Sequence, residues 1–151
     1  MITEDAARII GEFPLGTVAS LTPDGRPAAS PKGTFLVLDE MTLAYGDIRS
    51  PGTATNLRKT AMAEVVFVDV FRRKGVRIAG STEIVEAGSG RFTEYHPRWV
   101  DTWGDLAKRI KALVLVHVDR VRMLSTPPYD DGVTEAEMIA LYKSKYAELF
   151  P

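Results

Sequence analysis

Tyr45-Gly46-Asp47-Ile48-Arg49-Ser50-Pro51-Gly52-Thr53-Ala54-Thr55-Asn56-Leu57 is the most informative stretch of this chain. It delivers a strand straight into the N-terminus of a helix. Ser50 suits the N-cap, and Pro51 occupies the first helical position, where its missing N–H costs nothing. The free N–H groups and the positive dipole end of such a helix attract an anion. Arg49 places a charged fork beside that end, and Ser50 and Thr53 add hydroxyl donors. Gly52 removes a side chain where a phosphate would approach. An ordinary capped helix also accounts for Ser50 and Pro51, so both readings stand on this stretch alone.

Upstream, a second strand runs from Pro27 to Leu38 and is interrupted at Ser30-Pro31-Lys32-Gly33-Thr34. Proline cannot donate to a ladder, and an interior glycine leaves room for something close to the backbone. Lys32 brings a second positive charge. The two segments together suggest a flat ligand along the strand, its phosphate end held near Arg49 and Ser50. A β-bulge at a barrel edge is compatible with the same residues.

The rest of the chain reads outward from these segments. Thr3 caps a helix carrying Ala6, Ile9, Ile10 and Phe13, which Pro14 stops. Leu15 to Leu21 is the first strand, followed by the turn Thr22-Pro23-Asp24-Gly25. Thr42 to Tyr45 is the third strand. Ala63 to Phe71 and Val76 to Glu86 form a hairpin, whose basic tip Arg72-Arg73-Lys74 reads as solvated. Arg91 to Lys108 is helical, with a break expected at His96-Pro97. Ala112 to Met123 is a strand, and Thr134 to Glu137 is the capping box of a terminal helix. This order predicts a mainly-β antiparallel barrel of six or so strands with peripheral helices. One domain over 1–151 is expected, with barrel and rim helices in 1–125 and a helical extension in 126–151.

The 19 Lys+Arg and 20 Asp+Glu of the 151 residues nearly cancel, which argues against a nucleic-acid partner. There is no cysteine, so thiol catalysis and thiolate metal sites are excluded. The N-terminus lacks the features of a secretory signal, and no apolar run could span a bilayer, so a cytoplasmic protein without a membrane partner is expected. His96 and His117 lack the spacing of a metal pair, and no metal site is expected. Gly88-Ser89-Gly90 lacks the third glycine of a dinucleotide fingerprint. Trp99 and Trp103 read as core aromatics, with the wall of a substrate pocket as the alternative.

Leu15-Gly16-Thr17-Val18-Ala19-Ser20, Ala29 to Phe35, Arg49 to Thr53 with Asn56-Leu57, and Gly80 within Arg77 to Glu83 occur in an order that resembles the FMN-binding split-barrel family, the group related to pyridoxamine 5'-phosphate oxidase. The resemblance covers roughly Ile9 to Met123. It implies an FMN-binding split β-barrel, and a homodimer with flavin sites at the subunit interface. Mapped onto this chain, it sets Ser30, Pro31, Lys32, Gly33 and Thr34 beside the isoalloxazine ring. Asp47, Ile48, Arg49, Ser50 and Thr53 would hold the ribityl and phosphate groups, with Asn56 and Leu57 closing the site. The oxidase's Arg-x-Leu-Leu-Lys strand motif and its C-terminal Arg–His element are not visible, so the resemblance does not extend to that vitamin reaction. The expected function is a flavin oxidoreductase working through N5 of the flavin, its substrate open and no side chain assigned to catalysis. A flavin electron carrier or sensor is the alternative, as is a split-barrel module for haem or a deazaflavin.

Overall fold

The segment Pro27 to Leu38, expected to form one strand, is two. The computed structural model, which describes residues 1–151, breaks it at Gly33 and Thr34 into β2 (Pro27–Lys32) and β3 (Phe35–Asp39). The other strands are β1 (Gly16–Leu21), β4 (Thr42–Asp47), β5 (Met62–Asp69), β6 (Lys74–Glu86) and β7 (Ala112–Leu124). All pair antiparallel in one seven-stranded sheet of order β2-β1-β5-β6-β7-β4-β3. Consecutive β2 and β3 therefore lie at opposite edges. Proline suits an edge strand, because the missing N–H faces no partner. Pro27 and Pro31 both lie on β2, which pairs with β1 alone.

Residues 33–34 carry the chain from one edge of the sheet to the other, and the sheet rolls up around that crossing. Phe35 of β3 meets Phe67 of β5 edge-on, with ring centroids 4.8 Å apart. Both rings press on β1 at Gly16, where a Cβ would lie 2.6 Å from Phe67 and 2.7 Å from Phe35. The result is a mainly-β split barrel. Its interior holds Val18, Phe35, Tyr45, Val65, Phe67, Ile78 and Val116, packed against Ile9 and Ile10 of α1 (Glu4–Glu12). Thr3 begins α1 as expected, its Oγ1 accepting from the Ala6 N–H at 3.2 Å.

A second core lies on the other side of β4 and β7. Ala44, Leu113 and Leu115 are covered there by Phe92 and Trp99 of α3 (Gly90–Trp103) and by Ala107 and Ile110. Every residue from Ala112 to Val116 is buried, so this strand is apolar on both faces because both are covered. The helix also runs through Pro97, where a break was expected. His96 is held on both sides, stacked on Phe92 at 4.8 Å and bonded through Nε2 to the Ala107 carbonyl at 2.8 Å. The helix instead ends at Gly104, whose φ of +58° suits glycine, and continues as a 3-10 turn over Gly104–Arg109.

The basic hairpin tip differs most from its expected solvated state. Tyr129 donates to the Arg72 carbonyl at 2.5 Å, and Thr126 donates to the Arg73 carbonyl at 3.0 Å. Arg73 lies over the Tyr142 ring, Phe71 meets Tyr146 edge-on, and Lys74 pairs with Glu135 at 3.0 Å. The tip is thus the platform on which α4 (Glu135–Leu149) docks. The capping box at Thr134 and Glu137 forms with both of its bonds. No helix is long and apolar enough to cross a membrane.

Candidate functional site

Register explains which residues of the interrupted strand can meet. β1 and β2 pair with Val18 opposite Ser30 and Gly16 opposite Lys32. Alternation turns Ser30 and Lys32 inward with buried Ser20, whereas Pro31 is exposed on the outer face. β4 ends at Asp47, and Ile48 and Arg49 lead into α2 (Pro51–Lys59). Between β2 and α2 lies a notch of about 370 Å³ lined by Ser30, Lys32, Arg49, Ser50, Gly52, Thr53 and Asn56, together with Thr22 and Ala28.

Lys32 dominates the floor of this notch. It is only 8% exposed, and its Nζ donates to Ser30 Oγ at 2.8 Å and to Ser50 Oγ at 2.5 Å. A buried ammonium needs acceptors, and it takes the serine hydroxyl that sequence reasoning assigned to the helix cap. Ser50 does hold the cap position, but its side chain makes no capping bond. The first-turn N–H groups of α2 therefore have no side-chain acceptor. Burial pushes the Lys32 amine below the usual lysine range, opposed by the nearby Asp47 carboxylate. Asp47 Oδ1 is itself buried without a hydrogen-bond partner. On the inner face of α2, Asn56 Nδ2 donates to Ser20 Oγ at 3.0 Å, and Thr53 is equally buried.

Other residues singled out in the sequence lie elsewhere. Thr34 Oγ1 donates to the Gly46 carbonyl at 2.8 Å and accepts its N–H at 3.0 Å, which ties the edge-to-edge crossing to β4. Trp99 Nε1 donates to the Thr34 carbonyl at 2.8 Å, so this threonine belongs to the scaffold. Leu57 lies in the barrel core, and Ile48 packs on the second core. Pro31 and Gly33 line a separate outer groove of about 470 Å³ with Leu15, Thr17, Val66 and Val68. Thr22, Ala28 and Ser20 were missed by sequence reasoning. Period-two alternation backward from Ser30, carried across the β1–β2 turn, points to all three.

The notch offers two cations, serine and threonine hydroxyls, an uncapped helix end and, at Gly52, open space where a Cβ would stand. That donor set suits a phosphate group. Residues 2–126 match the family model for pyridoxamine 5'-phosphate oxidase. The chain belongs to this family. HupZ of Group A Streptococcus, at 28% identity and TM-score 0.71, aligns over 83% of this chain and 96% of its own. HutZ, the haem storage protein of Vibrio cholerae, is similar at 14% identity and TM-score 0.68 over 82% and 94%. An FMN-binding protein of Syntrophomonas wolfei is similar at 15% identity and TM-score 0.63 over 82% and 86%. No curated protein matches the chain. The pyridoxamine 5'-phosphate oxidase fold is thus shared among proteins described by different ligands.

Proposed function

We propose that this member of the pyridoxamine 5'-phosphate oxidase family binds FMN and acts as a flavin oxidoreductase on a small substrate. The observation that carries the reading is the uncapped N-terminus of α2 facing Lys32, Arg49 and Ser50. Lys32 and Arg49 hold the phosphate, and Ser50 and Thr53 donate to it. Bound FMN supplies hydride or electron transfer, while the protein supplies orientation and electrostatics. The chain offers one compact phosphate site and no dinucleotide fingerprint for a second phosphate and adenosine, so FMN is expected to bind more tightly than FAD. Titration of the apoprotein with both flavins tests this, and tighter FAD binding would overturn it.

Arg49→Ala is expected to weaken FMN binding by about 1.5–3 kcal/mol, the range for a charge-assisted bond to phosphate. Lys74→Ala should leave the flavin dissociation constant unchanged, since Lys74 lines a different pocket and pairs with Glu135. Equal constants for the two variants would remove Arg49 from the site.

The protein further works as a homodimer with flavin sites at the subunit interface. Two strands, Ala63 to Phe71 and Ala112 to Val118, are apolar enough in sequence to supply that interface; the chain's own two cores cover Ala112 to Val116, whereas Val68 of the first stays exposed. Among the exposed apolar side chains, four lie on the outer face of β1 and β5 and the turn before β1: Leu15 and Met62 at 64%, Val68 at 46% and Leu21 at 44%. A groove of about 640 Å³ crosses this face between Leu21, Pro27, Met62 and Ala79. Contiguous apolar surface of this kind marks an interface. The apoprotein is expected to sediment as a dimer at micromolar concentration. A species of the 16.6 kDa chain mass would overturn the assignment.

A further inference from the structure

The two cations of the notch are held differently. Arg49 is exposed, and a guanidinium keeps its charge across the accessible pH range. Lys32 is buried between two serine hydroxyls, and an amine sheds its proton where burial disfavours the ammonium. The charged groups facing it are Asp47 at the end of β4 and Arg49 in the loop before α2. Ser20 of β1 and Thr53 and Asn56 of α2 are neutral, and no histidine lines the notch.

We propose that Lys32 strengthens this site's selection of a phosphorylated over an unphosphorylated ligand beyond what Arg49 provides, and that it does so only while protonated. The inference rests on the notch being the phosphate site of an FMN-binding protein. As an ammonium, Lys32 can keep its bond to Ser30 and turn a donor to the phosphate, which frees Ser50 to donate as well. As a neutral amine it brings no charge to the phosphate, and Arg49 with the α2 amides acts alone. The direction in which burial moves the Lys32 amine places the change below the pH at which a free lysine titrates.

The experiment compares the dissociation constants of riboflavin and FMN for the intact protein between about pH 7 and about pH 10. The phosphate, with its second pKa of about 6, stays dianionic throughout. Ionisation of the ring is common to both flavins and cancels in their ratio. In the wild type, the preference for FMN should fall with rising pH, approaching about tenfold per pH unit above the Lys32 pKa until the arginine-held remainder is reached. Lys32→Arg should hold the preference constant across the range, and Lys32→Met should hold it constant at the low alkaline level. Circular dichroism checks that each variant is folded, and the methionine variant suffices if arginine does not fit. A flat wild-type ratio, or the same fall in both variants, would overturn the inference. If the wild type binds no FMN, the flavin reading fails. Inorganic phosphate titrated over the same pH series then tests Lys32 alone: weakening at alkaline pH in the wild type, absent from Lys32→Arg, supports it, and pH-independent or undetectable binding overturns it.

Discussion

Trp99→Ala is expected to destabilise the protein by about 3–5 kcal/mol, the range for truncating a large buried aromatic. Trp99 is fully buried at the centre of the second core, among Ala44, Phe92, Ala107 and Leu115. Its loss opens a cavity beneath α3 and removes the bond from Nε1 to the Thr34 carbonyl. The Thr34 carbonyl keeps only the long bond from the Gly46 N–H at 3.4 Å, and that weakened pairing adds to the cost of the cavity. Trp99→Phe fills most of the volume while still losing that bond, and is expected to cost about 1–3 kcal/mol. Equilibrium denaturation in urea measures both. A loss below about 1 kcal/mol for the alanine variant would show that α3 is not anchored through this residue. Because Thr34 is bonded to Gly46, the damage should also reach the β4 end and weaken the flavin binding proposed for the adjoining notch.

Asp69→Ala is expected to cost a similar amount, about 3–5 kcal/mol, as when one partner of a buried ion pair is removed. Asp69 lies fully buried at the end of β5. It accepts from the N–H groups of Phe71 and Arg72 and from the Arg72 guanidinium at 2.9 Å. Burial alone would raise its pKa, but the Arg72 N–H, the Arg72 guanidinium and the Phe71 N–H outweigh burial and hold it below the usual carboxylate value. A carboxyl depressed in the folded state stabilises the fold at any pH above its unfolded pKa. That contribution is lost as pH falls from about 4 through the lower folded value. Stability of the wild type should therefore decline more steeply below about pH 4 than that of Asp69→Asn. Glu135 and Glu83 are depressed too, but their exposure leaves them a small share. Parallel acid profiles for the two proteins would remove Asp69 from this role.

The barrel class, the position of α1, the hairpin of β5 and β6, and the terminal capping box all follow from local signals. Thr3, the apolar spacing of Ala6, Ile9 and Ile10, and the Thr134–Glu137 pair act within a few residues of themselves. What depends on distant partners did not show. Pro31 and Gly33 mark an interruption, but only the packing of Phe35 against Phe67 and Gly16 reveals that the chain changes sheet edge there. Proline at position 97 signals a break, yet α3 runs through it while His96 stacks on Phe92 and bonds the Ala107 carbonyl. Arg72 to Lys74 look solvated because their partners, Tyr129, Glu135 and Tyr142, lie more than fifty residues downstream. In the candidate site, helix-start chemistry pointed to Arg49, Ser50 and Thr53, which line the notch. The pairing of Lys32 with Ser50 was not, since it joins residues 18 apart through the fold.

The strand order has a consequence for how the chain is made. β1 and β2, β3 and β4, and β5 and β6 are each joined by short connections and can pair as soon as they leave the ribosome. β7 alone bridges β6 and β4, paired with β6 from Glu86↔Ala112 to Gly75↔Leu124 across a register shift at Ala79/Gly80, and with β4 from Asp47↔Ala112 to Thr42↔His117. Until Ala112 and the residues after it have been synthesised, the nascent chain carries, besides the lasting edges β2 and β3, the open ladder edges of β6 and β4 and an unclosed interior. Closure is therefore a late event gated by one strand, and a chain stalled before residue 112 presents those edges to its neighbours.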